Sequence, residues 1–255
     1  MILRDTSSVE STNGSDTGGS IASETCVAAA LNACAKLAAA LEPFRASGSD
    51  WTTACAAAVA AGVELVATGW FVQPVAAGQE AGWEFDYATQ GVCYAEAEVD
   101  TLTGESCVRK LYVAMDQGTS LNPLVDLGQV EGALIMSLGY FMTEEVCFAD
   151  DGSPLTLGCW EYKPPAIHDL PLVLNVKFMD AVPNPSSKAV LGSKASGEPA
   201  MALGAACALA VRNAVSSARR DVGISSPQLD LVLPLTVERV QRSCFPGALP
   251  PLDSF

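Results

Sequence analysis

Two strand-like runs, residues 91–100 and 107–115, are separated by little more than Thr-Leu-Thr-Gly-Glu. The first alternates Val, Tyr and Ala with Cys and Glu, the period of a strand with one buried face. So short a connection, with Gly104 inside it, predicts an antiparallel β-hairpin that turns at that glycine. Around it the pattern changes to helical. An Ala/Leu/Cys-rich segment over residues 24–41 predicts a helix stopped by Pro43, and residues 50–61 predict a second, capped by Asp50. Residues 62–72 turn β-like, and 78–82 predict a loop.

Beyond the hairpin, Asp-Gln-Gly-Thr-Ser-Leu-Asn-Pro (116–123) is a turn-rich loop. It leads into residues 124–143, apolar on most faces, which predict a buried helix. Residues 145–165, broken by Asp-Asp-Gly and Pro-Pro, predict a hairpin or loop, and 170–179 a strand. A long apolar helix is predicted from 197–199 to about 220, and a short one over 236–243. Helices alternate with partly antiparallel strands, so the fold class is α/β, a mixed α+β arrangement of sheet packed by long Ala-rich helices. The chain has 255 residues, room for one large domain or two small ones, and no internal repeat.

The formal net charge is −15, and such a surface repels phosphate backbones, so nucleic-acid binding is disfavoured. The N-terminus shows no apolar run of signal-peptide length. The longest apolar stretch, 54–72, is Ala-rich and interrupted by Glu64, a poor membrane span. A soluble cytoplasmic protein without membrane contact is expected. Nine cysteines (26, 34, 55, 93, 107, 147, 159, 207, 244) include no Cys-x-x-Cys pair, and His168 is the only histidine. No protein-ligated metal site is expected, and the cysteines read as buried, reduced thiols.

Three segments carry candidate chemistry. In Thr-Gly-Gly-Ser (17–20), ahead of a helix, Gly18, Gly19 and Ser20 offer successive N–H groups for an anion, although the polar stretch 5–25 reads equally as a flexible tail. In Gly-Gln-Val-Glu-Gly (128–132), Gly128 and Gln129 begin the apolar helix. A buried glutamine amide must pair with a neighbouring loop or with a ligand, because leaving it unpaired costs about 1–3 kcal/mol. In Gly-Ser-Lys-Ala-Ser-Gly-Glu-Pro (192–199), Pro199 suits a helix's first turn, which puts Gly197 and Glu198 at its entry with Glu198 at the cap. A carboxylate there is a candidate general base or an ordinary helix-start charge.

Together and in this order the three segments resemble the C-terminal molybdenum-binding region of the xanthine dehydrogenase/aldehyde oxidase family. The likeness rests on Thr-Gly-Gly-Ser-Ile-Ala-Ser-Glu (17–24), Ser-Leu-Asn-Pro-Leu-Val-Asp-Leu-Gly-Gln-Val-Glu-Gly-Ala (120–133) and Gly-Ser-Lys-Ala-Ser-Gly-Glu-Pro (192–199). Minor echoes are Val-Asp-Thr-Leu-Thr-Gly (99–104), Tyr-Lys-Pro-Pro (162–165) and Pro-Leu-Thr-Val-Glu-Arg-Val (234–240). Ala200 and Met136 depart from the family pattern, which more often has Pro and Gln there.

The resemblance implies a molybdenum–molybdopterin hydroxylase that oxidises an aldehyde or an N-heterocycle such as xanthine, with oxygen taken from water. It implies that Glu198 is the base and that Gln129 contacts the cofactor near the metal. It further implies that Gly19 and Ser20, with Gly18, Gly128 and Gly197 beside the motifs, lie against the cofactor. The whole chain, 1–255, would be the second molybdopterin-binding subdomain. Iron–sulfur clusters and FAD are then expected only in missing N-terminal domains or subunits, and a homodimer only in the full-length enzyme. The other reading is a stand-alone remnant that binds a cofactor or partner without turnover.

Overall fold

The structure, a computed structural model, describes residues 18–45, 50–72, 87–179, 183–186, 189–224 and 231–246, with positions 7, 9 and 229. The loop expected over 78–82 and Thr17 lie outside the described residues. The chain divides into two compact units, one through Asp86 together with Ser186–Val190, the other Tyr87–Pro185 with Leu191–Phe255.

In the first unit α1 (Ala22–Leu41) runs into a 3-10 turn at Glu42–Phe44, where Pro43 lies, and α2 spans Trp51–Ala60. Asp50 caps α2 as its sequence predicts, accepting the Thr53 N–H at 2.6 Å. That backbone hydrogen bond, then the one from the Thr53 side chain, lowers the Asp50 carboxyl pKa. The expectation of close-packed Ala-rich helices fails here. Among the described residues α1 buries only Glu24 and Leu41, and α2 only Ala54 and Ala58.

The β-like stretch 62–72 is not a strand, because it pairs with no other strand among the described residues. It lies on α1 instead: Asn32 donates to the Trp70 carbonyl and Lys36 to the Thr68 carbonyl, each at 2.7 Å. The approach is close enough that a Cβ at Gly69 would sit 1.8 Å from the Ala29 oxygen.

In the second unit the predicted hairpin forms. β1 (Gly91–Val99) pairs antiparallel with β2 (Ser106–Met115), from Gly91 opposite Met115 to Val99 opposite Ser106, with a bulge between Glu96 and Ala97. Gly104 is required twice over. Its φ is +83°, and a Cβ would lie 2.1 Å from the Val237 oxygen of α6 (Val237–Cys244). β3 (Val173–Phe178) adds in parallel to β2, giving the mixed order β1-β2-β3. The parallel step needs a crossover, and α3 (Pro123–Met142) lies within it.

α3 is amphipathic rather than buried all round. Val130, Ala133, Leu134, Ser137, Leu138, Gly139 and Met142 face the core, whereas Leu124, Val125, Met136 and Tyr140 are exposed. The single long helix expected from 197 is two, α4 (Gly197–Leu203) and α5 (Ala205–Asp221). The break falls at Gly204, where α3 comes so near that a Cβ would meet the Ser137 Cβ at 2.2 Å.

One core cluster joins Val108 and Leu111 of the sheet to Leu138 and Met142 of α3, Cys207, Val211 and Val215 of α5, Leu235, and Val240 and Cys244 of α6. A second joins Val113 and Met115 to Val130, Ala133 and Leu134 of α3 and Ala200 of α4. Within the 145–165 segment Phe148 bridges Pro154 antiparallel, flanked by the Ala149 N–H on the Ser153 carbonyl at 2.9 Å and the Leu155 N–H on the Cys147 carbonyl at 2.8 Å, a short hairpin followed by loop. By length and apolar composition alone, the helical stretches Ala22–Phe44 and Gly197–Asp221 would reach across a membrane; the second is broken at Gly204 and supplies core residues.

Candidate functional site

α3 and α4 both start from tight loops, and those loops are tied to each other. β2 ends at Met115; Asp116, Gln117 and Gly118 follow and meet residues 192–194 from the other loop. The Gly118 N–H donates to Asp116 Oδ1 at 2.8 Å, shaping a turn in which Gly118 takes φ +60°. Across the gap, Lys194 N–H donates to the Gln117 carbonyl at 3.0 Å and Thr119 N–H to the Gly192 carbonyl at 2.8 Å. The Lys194 ammonium donates to Asp116 Oδ2 at 2.5 Å and to the Ala88 carbonyl at 3.0 Å, with both partners of the ion pair nearly buried. Burial raises the Asp116 pKa, but the Lys194 hydrogen bond, the Gly118 N–H and the Lys194 charge outweigh it and hold the carboxyl below its usual range.

Two further features stand out in this clasp. Leu191 has φ +51°, a left-handed conformation that a β-carbon disfavours. Gln117 is 2% exposed, and among the described residues neither its amide nitrogen nor its amide oxygen has a hydrogen-bond partner.

The sequence candidates fall as follows. Gly18 and Gly19 are exposed and Ser20 half-buried, in the first unit. Gly19 (φ +66°) and Ser20 (φ +58°) are successive left-handed residues before α1, whose N-cap, Ile21, offers no side-chain hydrogen bond. Gln129, Gly128, Gly197 and Glu198 belong to the second unit, where α3 and α4 pack together. Gln129 is not buried as its apolar setting predicts: it and Gly128 are exposed on α3, so no desolvation cost compels that amide to find a partner. Glu198 is also corrected. It is the second residue of α4, not its cap; Ser196 holds the cap position without a side-chain cap hydrogen bond, and Glu198 is exposed.

Asp116, Gln117 and Lys194 build the clasp, and the motifs gave no sign of that. The adjacent Asp-Gln-Gly was on view as turn chemistry, but the partner of Lys194 lies 78 residues away, and nothing local marks that pairing.

The thiols divide differently from the expectation. Among the described cysteines all nine are free, but only Cys207 and Cys244 are buried, and Cys26, Cys34 and Cys159 are exposed. Burial pushes Cys207 up to about 12 and raises Cys93, which makes both poor nucleophiles. Among the described residues no three His, Cys, Asp or Glu side chains group to hold a metal ion. A cleft of about 890 Å³ opens at the far end of β2, floored by Val108, Leu138, Met142 and Leu235 and edged by Lys163 and His168. None of the sequence candidates lines it.

The chain is similar to proteins of known kind. A family signature described as "Molybdopterin cofactor-binding domain" matches residues 1–171. Xanthine dehydrogenase 2 of Arabidopsis thaliana is 36% identical over 96% of this chain and 19% of its own length. The xanthine dehydrogenase/oxidase of Gallus gallus is 36% identical over 96% of this chain and 18% of its own, and the probable aldehyde oxidase 3 of Oryza sativa subsp. japonica 36% over 91% and 17%. Among solved structures, the aldehyde oxidoreductase of Desulfovibrio desulfuricans superposes with a TM-score of 0.61 over 89% of this chain and 23% of that one, at 24% identity, a likeness of fold. The chain thus spans less than a fifth of the length of these curated relatives. On the signature and these identities together, the chain belongs to the molybdopterin cofactor-binding domain of the xanthine dehydrogenase/aldehyde oxidase family.

Proposed function

We propose that the chain, 1–255, is the second, C-terminal molybdopterin-binding subdomain of a molybdenum hydroxylase that oxidises an aldehyde or an N-heterocycle such as xanthine with oxygen from water. The observation that carries this reading is the clasp: the loop leading to α3, with Gln129, and the loop leading to α4, with Glu198, form one hydrogen-bonded frame. The names of its relatives as xanthine dehydrogenases and aldehyde oxidases support the chemistry.

Fit to a phosphate-bearing pterin rests on local geometry. Ser20, left-handed at φ +58°, is followed by Ile21 at φ −96° and ψ 3°, the alternation of hand that turns successive N–H groups toward one side and suits an anion. At Gly18 and Gly128 an added Cβ would meet nothing within 4 Å, so a ligand can approach the backbone. The buried, unpaired Gln117 amide shows polar capacity in the same frame as Lys194. When bound, the cofactor supplies the two-electron redox chemistry.

This chain's residues then bind, orient and move a proton. Gly18, Gly19 and Ser20 would hold the pterin phosphate through N–H groups. Gln129 would donate its amide to the cofactor, and Gly128 and Gly197 would keep the backbone clear for it. The Glu198 carboxylate takes the proton from the attacking water. That work needs a carboxylate shielded from solvent, and Glu198 is exposed on this chain. A shielding wall would therefore come from outside this chain; iron–sulfur clusters and FAD are read as belonging to N-terminal domains or subunits, and the assembled enzyme as a cytoplasmic homodimer.

Replacing Glu198 with Gln in the assembled enzyme should abolish hydroxylation while molybdenum content stays near normal; retained turnover refutes the role. The exposure of Glu198 and Gln129 also favours a second reading, a remnant that binds cofactor or partner without turnover. Activity that returns when the remaining domains are supplied decides for the first.

A further inference from the structure

The catalytic reading of Glu198 raises the question of what holds that carboxylate in place, since its own helix cannot. α4 has seven residues, too short to be stable by itself, and its entry is uncapped. Its position must be imposed from outside.

Two anchors flank it. Downstream, the Ser137 hydroxyl of α3 lies 2.8 Å from the Met201 carbonyl and 2.9 Å from the Ala133 carbonyl, sharing its proton between α4 and its own helix. The missing side chain at Gly204 lets α3 come that close. Upstream, residues 192–195 are tied one after another. Asn184, itself buried, donates its N–H to the Gly192 carbonyl and its side-chain amide to the Ser193 carbonyl, both at 2.9 Å. Ala195 N–H donates to the Tyr87 hydroxyl at 3.0 Å. Between them Lys194 reaches two other segments, Asp116 at 2.5 Å and the Ala88 carbonyl at 3.0 Å.

We infer that Lys194, through its ion pair with Asp116, is the positioning residue for Glu198: it fixes the loop that carries the carboxylate against the loop that begins α3. The inference rests on Glu198 being the base. The pair is an unusual choice if stability were its only purpose. Its side chains are 8% and 13% exposed, and burying two charges costs desolvation that an apolar pair would avoid. What an ion pair adds is direction. An ammonium held at once by a carboxylate and a carbonyl defines where the chain leaves residue 194. Four residues on, that direction sets the carboxylate, with the Ser137 anchor closing the other side. A misplacement of about 1 Å at such a distance from the chemistry is enough to cost on the order of a hundredfold in rate.

The test compares Lys194→Met, Lys194→Arg and the apolar pair Asp116→Leu/Lys194→Met. In the 255-residue chain, hydrogen exchange at the Thr119, Asn184 and Lys194 amides should quicken at least about tenfold in the Met and apolar-pair variants. It should stay near native in the Arg variant, while β1–β2 amides do not change. The apolar pair guards against simple unfolding, since it removes the charges without leaving one unpaired. In the assembled enzyme, kcat should fall about a hundredfold with KM within about twofold, and Lys194→Arg should recover most of it. Native exchange rates or native kcat in the apolar pair overturn the inference. Quickened exchange alongside full turnover in Glu198→Gln overturns the base assignment, and with it the positioning role, while the clasp itself stands.

Discussion

Gln117 gives the sharpest physical test of the clasp. Its side chain is 2% exposed, yet neither amide atom has a partner among the described residues. A buried donor or acceptor without a partner costs about 1–3 kcal/mol. Methionine has nearly the same volume, the same unbranched shape and a similar rotamer entropy, so Gln117→Met removes the polar atoms while leaving packing and side-chain ordering almost unchanged. Two orphaned atoms put the penalty at about 2 kcal/mol or more, so the expected gain is at least about 1 kcal/mol after allowing up to about 1 kcal/mol for imperfect fit of the thioether. For a unit of this size each kcal/mol moves Tm by about 2–4 °C, so the variant should melt at least roughly 2 °C higher. Differential scanning calorimetry of the 255-residue chain without cofactor, run beside urea titrations with m compared between variants, reads this directly. An unchanged or lower Tm refutes the reasoning, because it means the amide is satisfied and its loss opens a deficit. Gln117→Ala serves as the contrast. It deletes the same polar atoms but leaves a cavity, and should fall below Gln117→Met.

Other changes test other joints of the fold. Gly204→Ala should destabilise by about 1–3 kcal/mol, because its Cβ would meet the Ser137 Cβ at 2.2 Å, and Ser137→Gly should recover part of that loss in a double-mutant cycle by chemical denaturation. Leu134→Ala, at a fully buried α3 position, should cost about 2–5 kcal/mol by the same measurement. The Asp116 carboxyl titrates below its usual range when folded. Its contribution is therefore complete above the unfolded value and lost as pH falls through the folded one, so wild type should lose stability below about pH 4 that Asp116→Asn never had. Equal acid sensitivity of the two proteins would count against the Lys194–Asp116 pair.

What could be read from the sequence, and what could not, follows from the range of the interactions. The hairpin, the Asp50 cap and the start of α3 at Asn122-Pro123 are set by neighbours in sequence, and each appears within a residue or two of its expected place. Residues 62–72 have strand composition but lack a strand to pair with; side-chain donors on α1 hold them instead. The apolar run from 197 looks continuous until α3 presses against Gly204, a contact 67 residues removed from Ser137 in the chain. The same limit applies at the site. The Glu198 and Gln129 motifs announce themselves locally, but the Lys194–Asp116 tie and the orphaned Gln117 amide exist only once β2 and the 192–195 loop meet.

The exposure of the candidate residues is best understood by comparing what is rigid with what is open. Everything that fixes direction lies inside this chain: the buried ion pair, the backbone ties of residues 192–195, the Ser137 anchor and the second core cluster beneath α3 and α4. Among the described residues nothing shields the candidate groups from solvent. Glu198, Gln129, Gly128 and Gly18 all face out, and the large cleft lies at the other end of β2. A proton-accepting carboxylate works best when orientation and desolvation come together, because a poorly solvated base is the one whose affinity for a proton can be tuned. The chain spans less than a fifth of its curated relatives' length. A division of labour follows under the proposed function: this part carries the frame that aims the groups, and the remaining length carries the wall that dries them. Orientation built into one segment and solvation into another makes catalysis depend on assembly, so the frame can be stable and well folded on its own while the chemistry waits for the rest.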